Sequence, residues 1–238
     1  MVSTLILWTA VVATGAIAQV QTSTRDFSQA LGGYTKGTLL QPDQLKNEST
    51  DFVRVFQGQD RGYGTLDLVT LIENTAVALR KEVPTAERLQ VGDLSQSTGG
   101  KISGHGSHQN GLDVDLIYLR KDRRELDPKK ATWFDEQFVT AQGSLTANFD
   151  LEANWALVRI LHSSGRVQRI FVDAAIKEAF CAHATALGIR PQVTEILRSL
   201  RPWPAHDDHM HVRVVCPAAS LTCVPQEEVD PGDGCPGP

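Results

Sequence analysis

The sequence predicts an α+β domain, a small and mostly antiparallel sheet flanked by helices. Three observations carry that prediction. Apolar residues recur at helical spacing in three segments of 13 to 17 residues. Short β-branched runs with strict alternation lie between and after them. The order of these elements is not a regular strand–helix alternation, so a wholly parallel sheet is not expected.

The elements follow in chain order. Met1 to Ala18 has no charged side chain, an apolar run from Leu5 to Val12 and a closing Ala16-Ile17-Ala18. That is the pattern of a cleaved export signal, too short to span a bilayer comfortably. Gln19 to Leu45 is polar, holds Gly32-Gly33 and has few apolar runs. It reads as an irregular N-terminal arm. Leu66, Leu68, Leu71, Ile72, Ala76 and Leu79 form a helical stripe ending before Pro84. Leu89 to Leu94 reads as a short strand, and Ser95 to Gly106 as a Gly/Ser-rich loop. Leu112 to Leu119 alternates as a strand, and Lys121 to Lys130 is a charged, solvated excursion. Asp150 caps a helix to His162, and Asp173 caps another from Ala174 to Leu187, stopped by Gly188. Val167 to Val172 is a strand between them. Val193 to Leu200 is a short helix ended by Pro202. A last strand starts near Asp208 and runs to Val215, before a Pro/Gly-rich tail.

Composition narrows the function. The chain has 238 residues, 41% hydrophobic and 21% charged, with a formal net charge of −5. This is a globular composition, and its charge argues against nucleic acid or an anionic lipid surface as partner. Beyond the signal, no stretch could span a membrane. Cys181, Cys216, Cys223 and Cys235 are even in number and all near the C-terminus. In an oxidising compartment they make two disulfides, with three pairings open. Their spacing has no Cys-x-x-Cys, so a thiolate zinc site is not indicated.

Five of the seven histidines fall in two clusters, Gly104-His105-Gly106-Ser107-His108-Gln109-Asn110-Gly111-Leu112-Asp113-Val114-Asp115 and His206-Asp207-Asp208-His209-Met210-His211. On strands, Asp113 and Asp115 share one face, and His209 and His211 share one face, while Leu112, Val114, Leu116, Met210, Val212 and Val214 take the other. Paired carboxylates on a buried strand are costly without a cation or donors, and a metal between the two strands supplies one. His108 precedes its strand in a glycine-rich turn that can bend it to the same spot. A His/His/Asp set favours zinc. His162 and His183 lack such neighbours and read as surface or packing residues. There is no His-Glu-x-x-His, no Gly-x-Ser-x-Gly and no Ser-x-x-Lys box, which sets aside thermolysin-like, serine-hydrolase and penicillin-binding chemistries.

Ser107-His108-Gln109-x-Gly111-Leu112-Asp113-Val114-Asp115 resembles the first metal motif of the penicillin-insensitive murein endopeptidases. His209-Met210-His211-Val212-Arg213, followed by Cys216-Pro217, is similar to their second. The resemblance extends to Ala175-Ile176-Lys177 up to Cys181, to Arg201-Pro202-Trp203 and to Gly232-Asp233-Gly234-Cys235, most of residues 60 to 236. The wider group includes the D-Ala-D-Ala metallopeptidases and the hedgehog signalling domain. The resemblance implies zinc ligands His108, Asp115 and His211, and catalytic roles for His209 and His206. It implies disulfides Cys216–Cys223 and Cys181–Cys235. It marks His105 as a candidate for a second metal or its surroundings, and Asp113, on the face of Asp115, as a group that orients a ligand. The Asp-x-x-His pair that accompanies the extra histidine in some members has no counterpart between Leu116 and Leu161, so one Zn2+ is expected. Arg201 and Trp203 are expected to line the substrate cleft.

The organisation expected from these readings is a signal peptide over 1–18, an irregular arm over 19–58 and a zinc metallopeptidase domain over 59–238 with a disulfide-tied tail. The function implied by the resemblance is β-lactam-insensitive hydrolysis of D-alanyl–meso-diaminopimelyl cross-links in periplasmic peptidoglycan. The alternatives are a D,D- or L,D-carboxypeptidase or dipeptidase on uncross-linked stem peptides, and a non-catalytic zinc-stabilised wall-binding module.

Overall fold

Alternation of side chains along two central strands organises the molecule. The structure, a computed structural model, describes residues 27–236, so the proposed signal peptide lies outside the described residues. The main sheet has six strands, in the spatial order β4 (Phe52–Arg54), β6 (Leu89–Val91), β7 (Asp113–Ile117), β10 (His209–Val214), β8 (Val167–Val172) and β9 (Leu200–Pro202). The central pairings β6–β7, β7–β10 and β10–β8 are antiparallel, and the outer β4–β6 and β8–β9 are parallel. This bears out the α+β expectation.

One face of the sheet carries Val114, Leu116, Ile170, Val172, Met210, Val212 and Val214, all buried in the main core. Four helices supply the rest of that core: α1 (Leu66–Glu82), α2 (Leu151–Ser163), α3 (Ala174–Ala186) and α4 (Thr194–Ser199). Each of the first three starts at a side-chain cap, with Thr65 accepting from the Leu68 amide, Asp150 from Ala153 and Asp173 from Ala175. Their apolar stripes point inward, through Leu68, Leu71, Ile72 and Leu79 on α1 and Trp155, Val158 and Leu161 on α2. Burying each such side chain contributes roughly 1.5–3 kcal/mol. The opposite face of the sheet is polar at its centre, and there a smaller cluster of Val55, Phe56, Ile117 and Leu126 seats the long loop after β7.

Three sequence expectations are corrected. Residues 29–54 are not an irregular arm: β1 (Gln29–Gly33) and β2 (Lys36–Leu40) form a hairpin, β3 (Asp43–Gln44) pairs with β5 (Tyr63–Gly64), and β4 joins the main sheet. These strands are short, and only scattered residues such as Ala30, Tyr34, Leu39 and Leu45 are buried, so no apolar run betrays them. Gly37 is required by close approach, since a Cβ there would lie 2.4 Å from the Gly33 carbonyl oxygen. The expected helix over 193–200 is a 3₁₀ turn (Arg190–Val193) followed by α4, and Leu200–Pro202 is strand β9. Pro202 lacks an amide donor, which an outermost strand tolerates. The charged excursion 121–130 is anchored, because Leu126 is buried and Arg88 meets Glu125 at 2.7 Å.

The two disulfides are Cys181–Cys235 and Cys216–Cys223, the pairing that the resemblance implies. They hold a tail that also bonds through the Asp233 carbonyl to Lys177 and through its carboxylate to Arg190 at 2.6 Å. Among the described residues, no helix is long and apolar enough to cross a membrane.

Candidate metal centre

The register of β7 against β10 pairs His211 with Asp115, Arg213 with Asp113 and His209 with Ile117. Directly opposed residues on antiparallel strands share a face, so Asp113, Asp115, His209, His211 and Arg213 all stand on the polar side of the sheet. His108 reaches them from the preceding loop. Its backbone sits in the left-handed region at φ 62°, a conformation that costs a β-carbon-bearing residue roughly 1 kcal/mol. Three bonds hold it there. Its amide donates to Asp113 Oδ2 at 3.0 Å, its carbonyl accepts from Ser95 Oγ at 2.6 Å, and its Nδ1 donates to the Leu94 carbonyl at 2.9 Å.

Occupation of Nδ1 leaves Nε2 of His108 as the free nitrogen. It lies 3.2 Å from Asp115 Oδ1 and 3.2 Å from His211 Nδ1, and His211 Nδ1 lies 3.4 Å from the same carboxylate oxygen. A tetrahedral ion with bonds near 2.0–2.1 Å separates its ligand atoms by roughly 3.3 Å. Asp115 is completely buried, and neither of its oxygens has a hydrogen-bond partner. An unsatisfied buried carboxylate facing two imidazole nitrogens at tetrahedral spacing fits a divalent metal ion.

Asp113 has the opposite surroundings. It accepts from His211 Nε2 at 3.0 Å and from Arg213 Nε at 2.7 Å, besides the His108 amide. Its oxygens are fully engaged, and it turns His211 so that Nδ1 faces Asp115. Burial alone would raise both carboxylic pKa values. The charges of His211 and Arg213 hold Asp113 well below the usual range, and His108 and His209 hold Asp115 there. Burial pulls His211 down to about 4 against the pull of Asp113, while for His108 the carboxylates, Asp115 foremost, overcome burial and push it up to about 9.

The two further histidines of the second cluster come to the same place. His209 Nε2 lies 3.5 Å from Asp115 Oδ1, its Nδ1 bonds Asp208, and its ring stacks on Phe134 with centroids 4.4 Å apart. Burial opposes protonation of His209, yet Asp115 and Asp208 outweigh it and raise its pKa. His206 stands 4.9 Å from the His209 ring, with Nδ1 on the Pro204 carbonyl at 2.8 Å. Burial and then the His209 charge lower its pKa. His105 approaches from the other flank. Its Nδ1 lies 3.8 Å from Asp115 Oδ2, but its Nε2 meets Asp93 at 2.9 Å, and Asp93 in turn meets Arg61 at 2.8 Å. His105, His108 and Asp115 also have donor atoms within 4.8 Å of one another. The set with His211 is the tighter one.

These groups open into a cleft of about 590 Å³ that Trp133, Phe134, Phe171 and Trp203 help to line. Trp203 is on it as expected, whereas Arg201 stands on β9 beyond Phe171, outside the lining. His162 and His183 are far from this chemistry in α2 and α3, His183 packing on Trp155 at 5.8 Å. The sequence reading missed Asp93, Ser95, Asp208 and Phe134 as parts of the site. Asp208 was legible, being next to His209. The other three come from loops whose course no local pattern records.

Comparison with known proteins agrees with this geometry. A family model described as penicillin-insensitive murein endopeptidase matches residues 30–237. The penicillin-insensitive murein endopeptidase of Yersinia pestis (strain Antiqua) is 35% identical over 219 residues, covering 87% of this chain and 73% of that protein. Its namesake in Pectobacterium atrosepticum is 35% identical over 217 residues, covering 87% and 72%. That of Salmonella paratyphi C is 32% identical over 219 residues, covering 87% and 74%. The match takes in the hairpin as well as both histidine clusters and the tail that the disulfides tie down, and the chain belongs to the penicillin-insensitive murein endopeptidase family.

Proposed function

We propose that the protein is an exported zinc endopeptidase that hydrolyses D-alanyl–meso-diaminopimelyl cross-links of periplasmic peptidoglycan. The observation that carries this reading is Asp115, buried with both oxygens unsatisfied, where His108 Nε2 and His211 Nδ1 converge. His108, Asp115 and His211 would hold the zinc. When bound, zinc polarises the scissile carbonyl and lowers the pKa of water toward 7. The family membership supports the substrate class, the apolar opening segment supports export, and the disulfides fit an oxidising compartment.

The chain's own groups supply the remaining chemistry. Asp208 on Nδ1 of His209 leaves Nε2 with its lone pair toward the cleft, placed to take a proton from the attacking water. Phe134 fixes the plane of that ring. His206, on the cleft and next to His209, is placed to pass a proton to the leaving amine. Trp203 and Phe171 exclude water on the side of His206. This route passes through no acyl-enzyme, so β-lactams have no nucleophile to acylate.

Digestion of purified cross-linked peptidoglycan dimers, followed by mass spectrometry, tests the reading. Zinc-loaded wild type converts dimers to monomers, chelated protein does not, and zinc restores it. His209→Ala retains zinc and loses roughly 10²- to 10⁴-fold in rate. Persistence of dimers with zinc-loaded wild type overturns the cross-link assignment. Trimmed monomer stems then indicate a carboxypeptidase, and no cleavage indicates a binding module.

A further inference from the structure

The polar face of the sheet continues past the metal-ligand row. On β8, Phe171 is opposite His211, and Arg169 is opposite Arg213. Arg169 therefore stands on the face of the site, about 7 Å along the strand from the His211 row. It lines the same cleft as His206 and His209.

Its charge is not neutralised. The neighbouring Arg213 takes the carboxylate of Asp113, at 2.7 Å through Nε and 3.3 Å through Nη2. Arg169 makes no ion pair among the described residues. Its Nη2 donates to the Glu227 carbonyl, and its Nε is buried without a partner. Burial, then the like charges of Arg201 and Arg213, disfavour the charged form, although a guanidinium stays protonated. A half-buried arginine with an orphaned N–H, surrounded by cations and open to a cleft, is a site for a carboxylate from outside the protein.

We infer that Arg169 binds a free carboxylate of the peptide substrate, the one borne by the residue that leaves as the amine. This rests on the cross-link reading above. In a D-alanyl–meso-diaminopimelyl bond the acylated amino group and a free carboxylate share one carbon, so the carboxylate is two bonds from the scissile nitrogen. It stays beside the metal row while the carbonyl is attacked. Other free carboxylates of the stem lie further along the peptide. Arg169 then fixes which side of the bond faces Phe171 and Trp203, and it distinguishes a diaminopimelate carboxylate from its carboxamide. Its role is specificity and positioning.

The test uses two purified peptidoglycan dimers, identical except that this carboxyl group is free in one and amidated in the other. Zinc-loaded wild type, Arg169→Ala and Arg169→Lys are compared by kcat/KM, with zinc content and Tm recorded for each. Wild type prefers the free carboxylate by roughly 10- to 100-fold, the scale of a desolvated charge-assisted bond. Arg169→Ala retains zinc and cleaves both dimers at the slower rate, so the ratio falls to near one. Arg169→Lys restores part of the preference. An unchanged ratio in Arg169→Ala, or no preference in wild type, overturns the inference and leaves the endopeptidase reading standing. Cleavage of neither dimer by zinc-loaded wild type overturns that reading and this inference with it.

Discussion

Asp113 and Asp115 stand two residues apart on one strand, equally buried, and their surroundings divide the work between them. Asp113 is saturated by donors from His108, His211 and Arg213, whereas Asp115 has none. A carboxylate that meets only imidazole nitrogens is suited to a metal, and one that meets N–H groups is suited to orient a ligand. Asp113→Asn keeps the shape and removes the charge. Zinc affinity then falls roughly 10- to 100-fold, the usual cost of losing such a support. Competition with a graded chelator measures it, and an unchanged affinity would sink the orienting role. The same change leaves the buried Arg213 uncompensated, so Tm falls as well.

Elements, rather than single residues, frame the cleft. The tail after Cys223 crosses the β8–β10 side of the sheet, where Gln226 accepts from Arg213 Nη1 at 2.8 Å and its carbonyl accepts from Gln168 at 3.0 Å. The hairpin β1–β2 meets the same segment, since the Gly32 amide donates to the Thr222 carbonyl at 3.1 Å. Tyr34, just past β1, donates its hydroxyl to the Val214 carbonyl at 2.8 Å, with Arg213 over its ring at 4.3 Å. The two disulfides differ in what they close, 54 residues of chain for Cys181–Cys235 against 7 for Cys216–Cys223. On the chain-entropy account their removal costs about 4 and about 2.5 kcal/mol. Denaturant melts of Cys181→Ala/Cys235→Ala and Cys216→Ala/Cys223→Ala are expected in that order of destabilisation. The reverse order would mean that the short loop is the one the native fold depends on.

At the scale of the molecule, one sheet has two solvents. Its helix-covered face is an apolar core, and its other face places buried carboxylates and imidazoles under loops. Without a cation, Asp115 is a cost to the whole fold, so metal binding and folding are coupled. Zinc at a thousandfold excess over its Kd stabilises by roughly 4 kcal/mol, which for a domain of this size raises Tm by about 10 °C. Thermal melts with zinc and with chelator give the difference. Asp115→Asn abolishes the zinc-dependent rise, and a wild-type Tm indifferent to zinc would overturn the coupling. The net charge of −5 is not spread evenly in its effect, because the cleft flank at Arg169 and Arg213 presents cations to an acidic peptide.

Local periodicity determined much of this by itself. A spacing of two placed Asp113 with Asp115 and His209 with His211 on single faces, and a spacing near 3.6 placed the stripes of α1, α2 and α3. Asp150 and Asp173 were legible as caps because a cap is a contact over two or three residues. The disulfide pairing was open to composition and came only through the family resemblance. Tertiary structure alone decided the register that sets His211 against Asp115, the hairpin drawn from a polar arm, the stacking of Phe134 on His209 and the isolation of Arg169. The physical reason is range. Asp113 and His211 are 98 positions apart in the chain, and no pattern within either strand records which partner its polar face will meet.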